Sequence, residues 1–347
     1  MTIVEPARAV TGGVDTHLDV HVAAALSELG VVLGTESFAT TPEGFDELSG
    51  WLESFGPIAR VGIEGTGSYG AGLTRFLMSR GVEVVEVDCP NRKDRHRAGK
   101  SDTLDAISAA RGALSGQSSG QPKGGTGPVE AMRVLLVAKS SARAERTRTL
   151  NQMRHLVIVA PDDIRARFAS LNIYHLTRQS AAMRPRPGDQ VGYVTLMTLR
   201  ELGRRARGLE EEIGRLDDLL EPIVADHAPG LLSLFGCGAF VAATLAVAAG
   251  DRPQRIRSEA AWAHMCGVAP IPVASGKVFR HRLNRGGNRQ ANSALHRIVL
   301  VRMGHHEPTR IYVERRRAEG RTNLEIMRSL KRYVARETFK QLPGGDA

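Results

Sequence analysis

Three short runs rich in β-branched and apolar residues open the chain, Val14 to His17, Val20 to Leu26 and Val31 to Phe38, parted by polar or glycine-containing turns. They predict a β-meander. The period then changes. Phe45, Leu48, Trp51 and Leu52 fall at helical spacing within Pro42 to Phe55, a strand is predicted over Arg60 to Glu64, and a second helix over about Tyr69 to Arg80. A strand from Val82 to Asp88 and a helix from Ser101 complete the order β-β-β-α-β-α-β-α, which suits a mixed sheet carrying helices on its faces.

That order is the one found in the α/β RNase H-like fold, and it assigns residues 1–113 to such a domain. Residues 114–128 are dominated by Ser, Gly, Gln and Pro, the composition of a flexible linker. Residues 129–228 read as a helical connector. Val129 to Leu156 is helical and basic, and Leu202, Ala206, Leu209, Ile213, Leu216, Leu220 and Ile223 alternate at spacings of four and three. This is a coiled-coil seam or, equally, the apolar face of an ordinary amphipathic helix. Residues 229–340 form a last, mainly α domain. There Gly236 and Gly238 bracket a turn between apolar stretches, which reads as a helix-hairpin-helix that offers backbone N–H groups to a phosphate, or as a plain αα-hairpin.

Composition narrows the partner. A chain of 347 residues with 42% hydrophobic and 24% charged residues can bury more than one core. Its net charge of +10 favours a polyanion, nucleic acid first. Acids outnumber Lys and Arg from Met1 to Ala110, so the excess of positive charge lies beyond. Between Ala260 and His306 there are seven Lys/Arg and no Asp or Glu, as a phosphate-contacting surface requires. Cys89, Cys237 and Cys266 form neither a disulfide framework nor a zinc cluster, and no secretory leader pattern opens the chain, so a cytoplasmic protein is expected. Leu231 to Gly250 is uncharged and nearly long enough to span a bilayer, but its glycines, alanines and hydroxyls make it weakly hydrophobic for that role.

Four carboxylates stand out. Asp15 follows Gly13-Val14 on the first strand, Glu64 ends the fourth, and Asp102 and Asp105 lie three apart at a helix start, on one face. Converging there, they would form a hard oxygen site suited to Mg²⁺ or Mn²⁺, able to bind a scissile phosphate and activate a hydroxyl. Each acid also has an ordinary reading: Asp102 as N-cap with Asp105 in the first turn, Asp15 in a turn, Glu64 at a solvated strand end. Arg92, Lys93, Arg95, Arg97 and Lys100 stand just before Asp102, where a phosphate backbone would bridge cations and acids. His17, His305 and His306 are expected to be structural. Ser275 lies in a Pro- and Gly-punctuated loop beside Lys277, Arg280, Arg282, Arg285 and Arg289, an exposed cationic setting that could activate a hydroxyl and hold a phosphate.

The chain resembles the DEDD transposases of the IS110 insertion-sequence group, described as bridge-RNA-guided serine recombinases. The resemblance rests on Gly13-Val14-Asp15-Thr16-His17, Ile63-Glu64-Gly65-Thr66-Gly67 and Lys100-Ser101-Asp102-Thr103-Leu104-Asp105-Ala106 in the first half. In the second half it rests on Leu234-Phe235-Gly236-Cys237-Gly238, Gly267-Val268-Ala269-Pro270, Ser275-Gly276 and Gly287-Asn288. Cys237 and the long Gly-rich linker depart from the group's usual pattern. The resemblance implies a RuvC-like nuclease domain, a coiled coil that assembles a dimer or tetramer, and a domain whose Ser275 attacks DNA and becomes a phosphoserine. It also implies that Asp15, Glu64, Asp102 and Asp105 hold Mg²⁺ beside Ser275, and that a structured guide RNA selects the DNA sites.

Other readings stay open. A Holliday-junction resolvase-type nuclease would use the same carboxylates with water as the nucleophile. A non-catalytic nucleic-acid-binding protein accounts for the charge but not for the acids, and an actin-like phosphotransferase would need more glycine motifs than Gly65-Thr66-Gly67.

Overall fold

The computed structural model describes residues 9–87, 101–116, 118, 120, 122, 125–275 and 278–344, except the side chains of 274–279. They form two compact units, residues 1–125 and 126–347.

In the first unit, β1 (Val10–Thr16), β2 (Val20–Leu26) and β3 (Val32–Ala39) form the meander. They are followed by α1 (Pro42–Glu53), β4 (Ile58–Glu64), α2 (Ala71–Ser79), β5 (Val84–Val87) and α3 (Asp102–Leu114). The sheet order is β3-β2-β1-β4-β5. Strands β1, β2 and β3 pair antiparallel, whereas β4 runs parallel to both β1 and β5. The sheet is therefore mixed, with helices on its faces, as the hydrophobic periods predict.

The two faces are packed differently. Val10, Val14, Val61 and Ile63 meet Phe45, Leu48, Leu52, Leu73 and Leu77 of α1 and α2 in one apolar core. Because side chains alternate along a strand, Gly13 of β1 and Gly62 of β4 point to the opposite face. These two glycines are register partners. A Cβ on Gly13 would lie 2.1 Å from the Ala110 nitrogen, and one on Gly62 would lie 2.5 Å from the Ala109 carbonyl oxygen. Only glycine permits so close an approach. Helix α3 presents Ala106, Ala109, Ala110 and Ala113 as its buried stripe, so small residues on both sides bring helix and sheet almost backbone to backbone.

The second unit is mostly helical. Helices α4 (Gly127–Val159) and α7 (Gln190–His227) run antiparallel: Lys139 pairs with Asp217 and Arg146 with Glu210. The predicted seam is met by α4 of the same chain, with Leu209, Ile213 and Leu216 half-buried. At one end of this hairpin, α5 (Asp162–Phe168) and α6 (Ile173–Ala182) close a small core around Met153, Phe168, Leu176 and Leu199. At the other end, Met132, Leu136, Leu220 and Val224 join the core of the remaining helices, so connector and C-terminal helices share one hydrophobic interior.

Those helices are α8 (Pro229–Leu232), α9 (Ala239–Ala249), α10 (Glu259–Met265), α11 (Arg289–His305), α12 (Glu307–Ala318) and α13 (Asn323–Lys340). Trp262 is fully buried and its indole N–H donates to Thr338 Oγ1 at 3.1 Å. Gly236, at φ +81°, turns the chain between α8 and α9. Helix α9 is an eleven-residue core helix, and among the described residues no helix is long and apolar enough to cross a membrane.

The Ser275 segment differs from the expected loop. Strands β6 (Ile271–Ser275) and β7 (Val278–Arg282) form a two-stranded antiparallel hairpin in which Ser275 pairs with Val278. Pro272 is tolerated there because a two-stranded ribbon has only edge strands.

Candidate functional site

The register of β1 and β4 builds the acid site. Two residues beyond Gly13 is Asp15, and two beyond Gly62 is Glu64, so both carboxylates belong to the face that α3 covers. On α3, Asp105 continues the buried stripe of Ala109 and Ala113, and Asp102 lies one turn earlier. The glycines that let the helix lie flat therefore also lower its first turn onto the ends of two strands. Thr16 ties the strands there, its hydroxyl donating to the Glu64 carbonyl at 2.8 Å.

Asp15 is 7% exposed and Asp105 8%, Glu64 is half-buried, and Asp102 is exposed. The Asp15 carboxyl is pushed above the usual carboxylate range, chiefly by burial, which outweighs an opposing pull from His17 and is reinforced by the negative charges of Glu64, Asp105 and Asp102. Three other acids thus act on Asp15. Asp102 is not the N-cap of its helix: Ser101 is, and Asp102 is the first helical residue. Both acids still lie in the first turn, and Asp105 is buried.

His17 was expected to be structural, and the structure brings it into this site instead. Its Nε2 lies 3.2 Å from Asp15 Oδ2 and 3.6 Å from Asp102 Oδ1. Asp15, His17 and Asp102 each offer a ligand atom within 4.8 Å of the others, the arrangement of a metal site. The sequence signal was the Asp-Thr-His spacing, in which residues two apart share a face at a strand end. The donor set fits a divalent cation. Asp15, Asp102 and His17 could hold such an ion, and the repulsion from Glu64, Asp105 and Asp102 that helps raise Asp15 is what it would offset.

The cationic candidates divide. Arg92, Lys93, Arg95, Arg97, Lys100 and Lys277 lie outside the described residues, as does the side chain of Ser275. Arg280, Arg282, Arg285 and Arg289 are all exposed, on β7, after it, and at the start of α11. The acid-free stretch is not wholly a binding surface. Arg302 is buried, its Nε donating to the Phe235 carbonyl at 2.9 Å and its Nη1 to Glu337 at 2.7 Å, so it holds α11 to α13. Lys331, absent from the candidates, stands near Arg285 around one cavity. Cys237 and Cys266 are buried thiols, each pushed up to about 12 by desolvation, and neither is poised as a nucleophile.

Comparison with known proteins accords with this arrangement. Residues 12–159 match a transposase family model of the DEDD type associated with IS110, and residues 228–314 match the model of the transposase IS116/IS110/IS902 family. Over 149 residues the chain is 30% identical to the insertion element IS110 uncharacterized 43.6 kDa protein of Streptomyces coelicolor. Over 149 residues it is also 27% identical to the insertion element IS900 uncharacterized 42 kDa protein of Mycobacterium paratuberculosis. Those alignments cover 43% and 42% of this chain, and only 35% and 37% of the two relatives. The first model spans Asp15, Glu64, Asp102 and Asp105, the second spans the Ser275 hairpin, and on these matches the chain belongs to the IS110 family of insertion-sequence transposases.

Proposed function

We propose that this chain is a DNA transposase-recombinase that cuts and rejoins DNA through Ser275, assisted by a divalent-cation site on Asp15, Glu64, Asp102 and Asp105 in an RNase H-like domain. The observation that carries this reading is the convergence of three further acids, Glu64, Asp102 and Asp105, on Asp15 at the meeting of two strand ends and a helix start. Structural acids are not gathered at such expense, because like charges brought together in a partly buried place raise one another's energy.

In the reaction, the Ser275 oxygen would bond to phosphorus while the bond from that phosphorus to one deoxyribose oxygen breaks. The serine proton passes to a base and the departing oxygen takes one up. Rejoining reverses the step with the hydroxyl of another strand, so the phosphodiester count is unchanged. Bound Mg²⁺ or Mn²⁺ would supply charge stabilisation at the phosphate and an activated oxygen nucleophile. The chain's own residues do the rest. Asp15 and Glu64 hold the floor of the site through their strands, Asp102 and Asp105 hold its rim through α3, and His17 orients Asp15 and Asp102. Arg280, Arg282, Arg285 and Arg289 would grip the DNA backbone around the serine hairpin. Acids and serine belong to different compact units, and the chain would act as a dimer or tetramer, as the family resemblance implies. A guide RNA would select the DNA by base pairing, in keeping with the family resemblance.

The second reading is a Holliday-junction resolvase-type nuclease with water as the nucleophile. It is favoured by one observation: the acids sit in a unit with its own core. The deciding experiment incubates the protein and Mg²⁺ with junction DNA of its own element and the flanking transcript. A denaturation-resistant DNA–protein adduct that Ser275→Ala abolishes supports the serine reading. Cleavage with no adduct, unchanged in Ser275→Ala but lost in Asp102→Ala, establishes the nuclease.

A further inference from the structure

A cavity of about 640 Å³ opens in the second unit where both legs of the β6–β7 hairpin leave the helical body. Val268 and Pro270, which lead into β6, and Leu283, which follows β7, form an apolar wall; Arg328 and Lys331 of α13 line the cavity with Arg285. Two further cations of α13 that line the cavity, Arg332 and Arg336, share the single carboxylate of Glu259, the latter at 2.9 Å. Among the described residues, no carboxylate lies within ion-pair distance of Arg285, Arg328 or Lys331.

Lys331 is held, not merely solvated. Its ammonium donates to Asn292 Oδ1 at 2.5 Å, and the Asn292 amide donates in turn to the carbonyls of Cys266, at 2.8 Å, and Gly267, at 3.2 Å. Those two bonds fix which end of the amide faces the lysine. A free lysine side chain would carry its charge out to water; this half-buried one is tethered at the cavity, with N–H donors to spare. Burial, and then the neighbouring Arg328, press its pKa downward, as expected of a cation that has lost water without gaining a counter-ion. Three such cations around one space repel one another, and an anion between them offsets that cost. The volume exceeds what a bare phosphate fills and lies within the range of small-molecule sites.

We propose that this cavity takes one nucleotide of a DNA strand, its phosphate held by Lys331, Arg328 and Arg285 and its sugar and base lying against Val268, Pro270 and Leu283. The assignment rests on the reading of the chain as a DNA transposase and adds the place where the strand is gripped at the foot of the serine hairpin. Arg285 lies three residues past the end of β7, so a strand anchored there is one short step in sequence from the ribbon that carries Ser275.

The test uses the full-length Ser275→Ala protein, so that nothing depends on serine chemistry. Lysine acetylation is read by mass spectrometry with and without a saturating mixed-sequence DNA oligonucleotide. Protection of Lys331 is expected; unchanged labelling of Lys331 on fully bound protein overturns the proposal. In parallel, Lys331→Met with Arg328→Met should weaken DNA binding about tenfold and lower the slope of log K against log salt by about two. Wild-type affinity and slope in that double variant would also overturn it. Stronger protection by an RNA oligonucleotide of the same sequence than by the DNA would overturn the DNA assignment. The adduct assay on the wild-type protein separates the two ideas. Protection without any adduct retires the serine and keeps the cavity, whereas an adduct with Lys331 unprotected does the reverse.

Discussion

The two units gather like charges in opposite ways. In the first, four carboxylates meet because backbone meets backbone: Gly13 and Gly62, register partners on β1 and β4, let α3 lie flat, and each strand places an acid two residues further on. In the second, Arg285, Arg328 and Lys331 come together from a hairpin exit and a distant helix, with Lys331 held through Asn292. The acid site is built from secondary-structure periodicity and the cationic one from tertiary packing. A site of the first kind is rigid and written in short motifs. A site of the second kind depends on many individual contacts and leaves little local trace.

The sharpest break in this comparison removes a carboxylate. Asp102→Ala or Asp15→Ala is expected to lower strand cleavage by more than about a thousandfold, the scale of several kcal/mol of charge stabilisation. DNA binding through the second unit should remain, as gel shift without cleavage would demonstrate.

Gly13→Val tests whether the backbone contact builds the acid site. Its side chain would collide with Ala110 and Ala106, and such overpacking costs about 3 kcal/mol. Calorimetry should register a lower-melting first unit, with divalent-cation binding lost although every ligand residue is intact. Arg302→Met is the counterpart in the second unit. It leaves the Phe235 carbonyl and Glu337 without a buried donor and is expected to cost about 2 kcal/mol, with cation binding unchanged.

A subtler effect follows from Asp15 itself. Its raised pKa penalises the ionised form of the folded protein. The penalty is absent below the unfolded value of 3.8, grows as pH rises from there, and is complete above the folded pKa. In chelator at neutral pH, Asp15→Asn should therefore melt a few degrees above the wild type, and the two should converge in acid. Added Mn²⁺ should stabilise the wild type more than the variant. His17→Gln is the mildest change, expected to weaken Mn²⁺ binding severalfold and Mg²⁺ binding less, since imidazole suits the softer ion; titration calorimetry measures both.

Much of the first unit was legible in advance because its strands and helices have clean periods and short turns. The predicted helix from Ser101, with Asp102 and Asp105 on one face, is α3. What went unread was the purpose of the glycines: Gly13-Val14-Asp15 and Gly62-Ile63-Glu64 are the same device twice, visible only once the strands are put in register. His17 escaped for a related reason, since its partner Asp102 comes from the far end of the domain. In the second unit the seam from Leu202 to Ile223 was readable, but its partner was not, and α4 of the same chain meets it. The expected Ser275 loop is a hairpin, because Pro272 favours turns in sequence yet also fits a two-stranded ribbon.

The sequence by itself determined the element order of the first unit, the acids at its strand and helix ends, and the separation of acidic from basic regions. These depend on residue type and on periods of two and 3.6, which act locally. Tertiary structure alone decided that His17 joins the acids, that Arg302 is a core residue while Arg285 is not, and that Lys331 faces a cavity beside the serine hairpin. Those outcomes depend on which distant segments pack together and on which charges then find a partner, and no single stretch of chain carries that information.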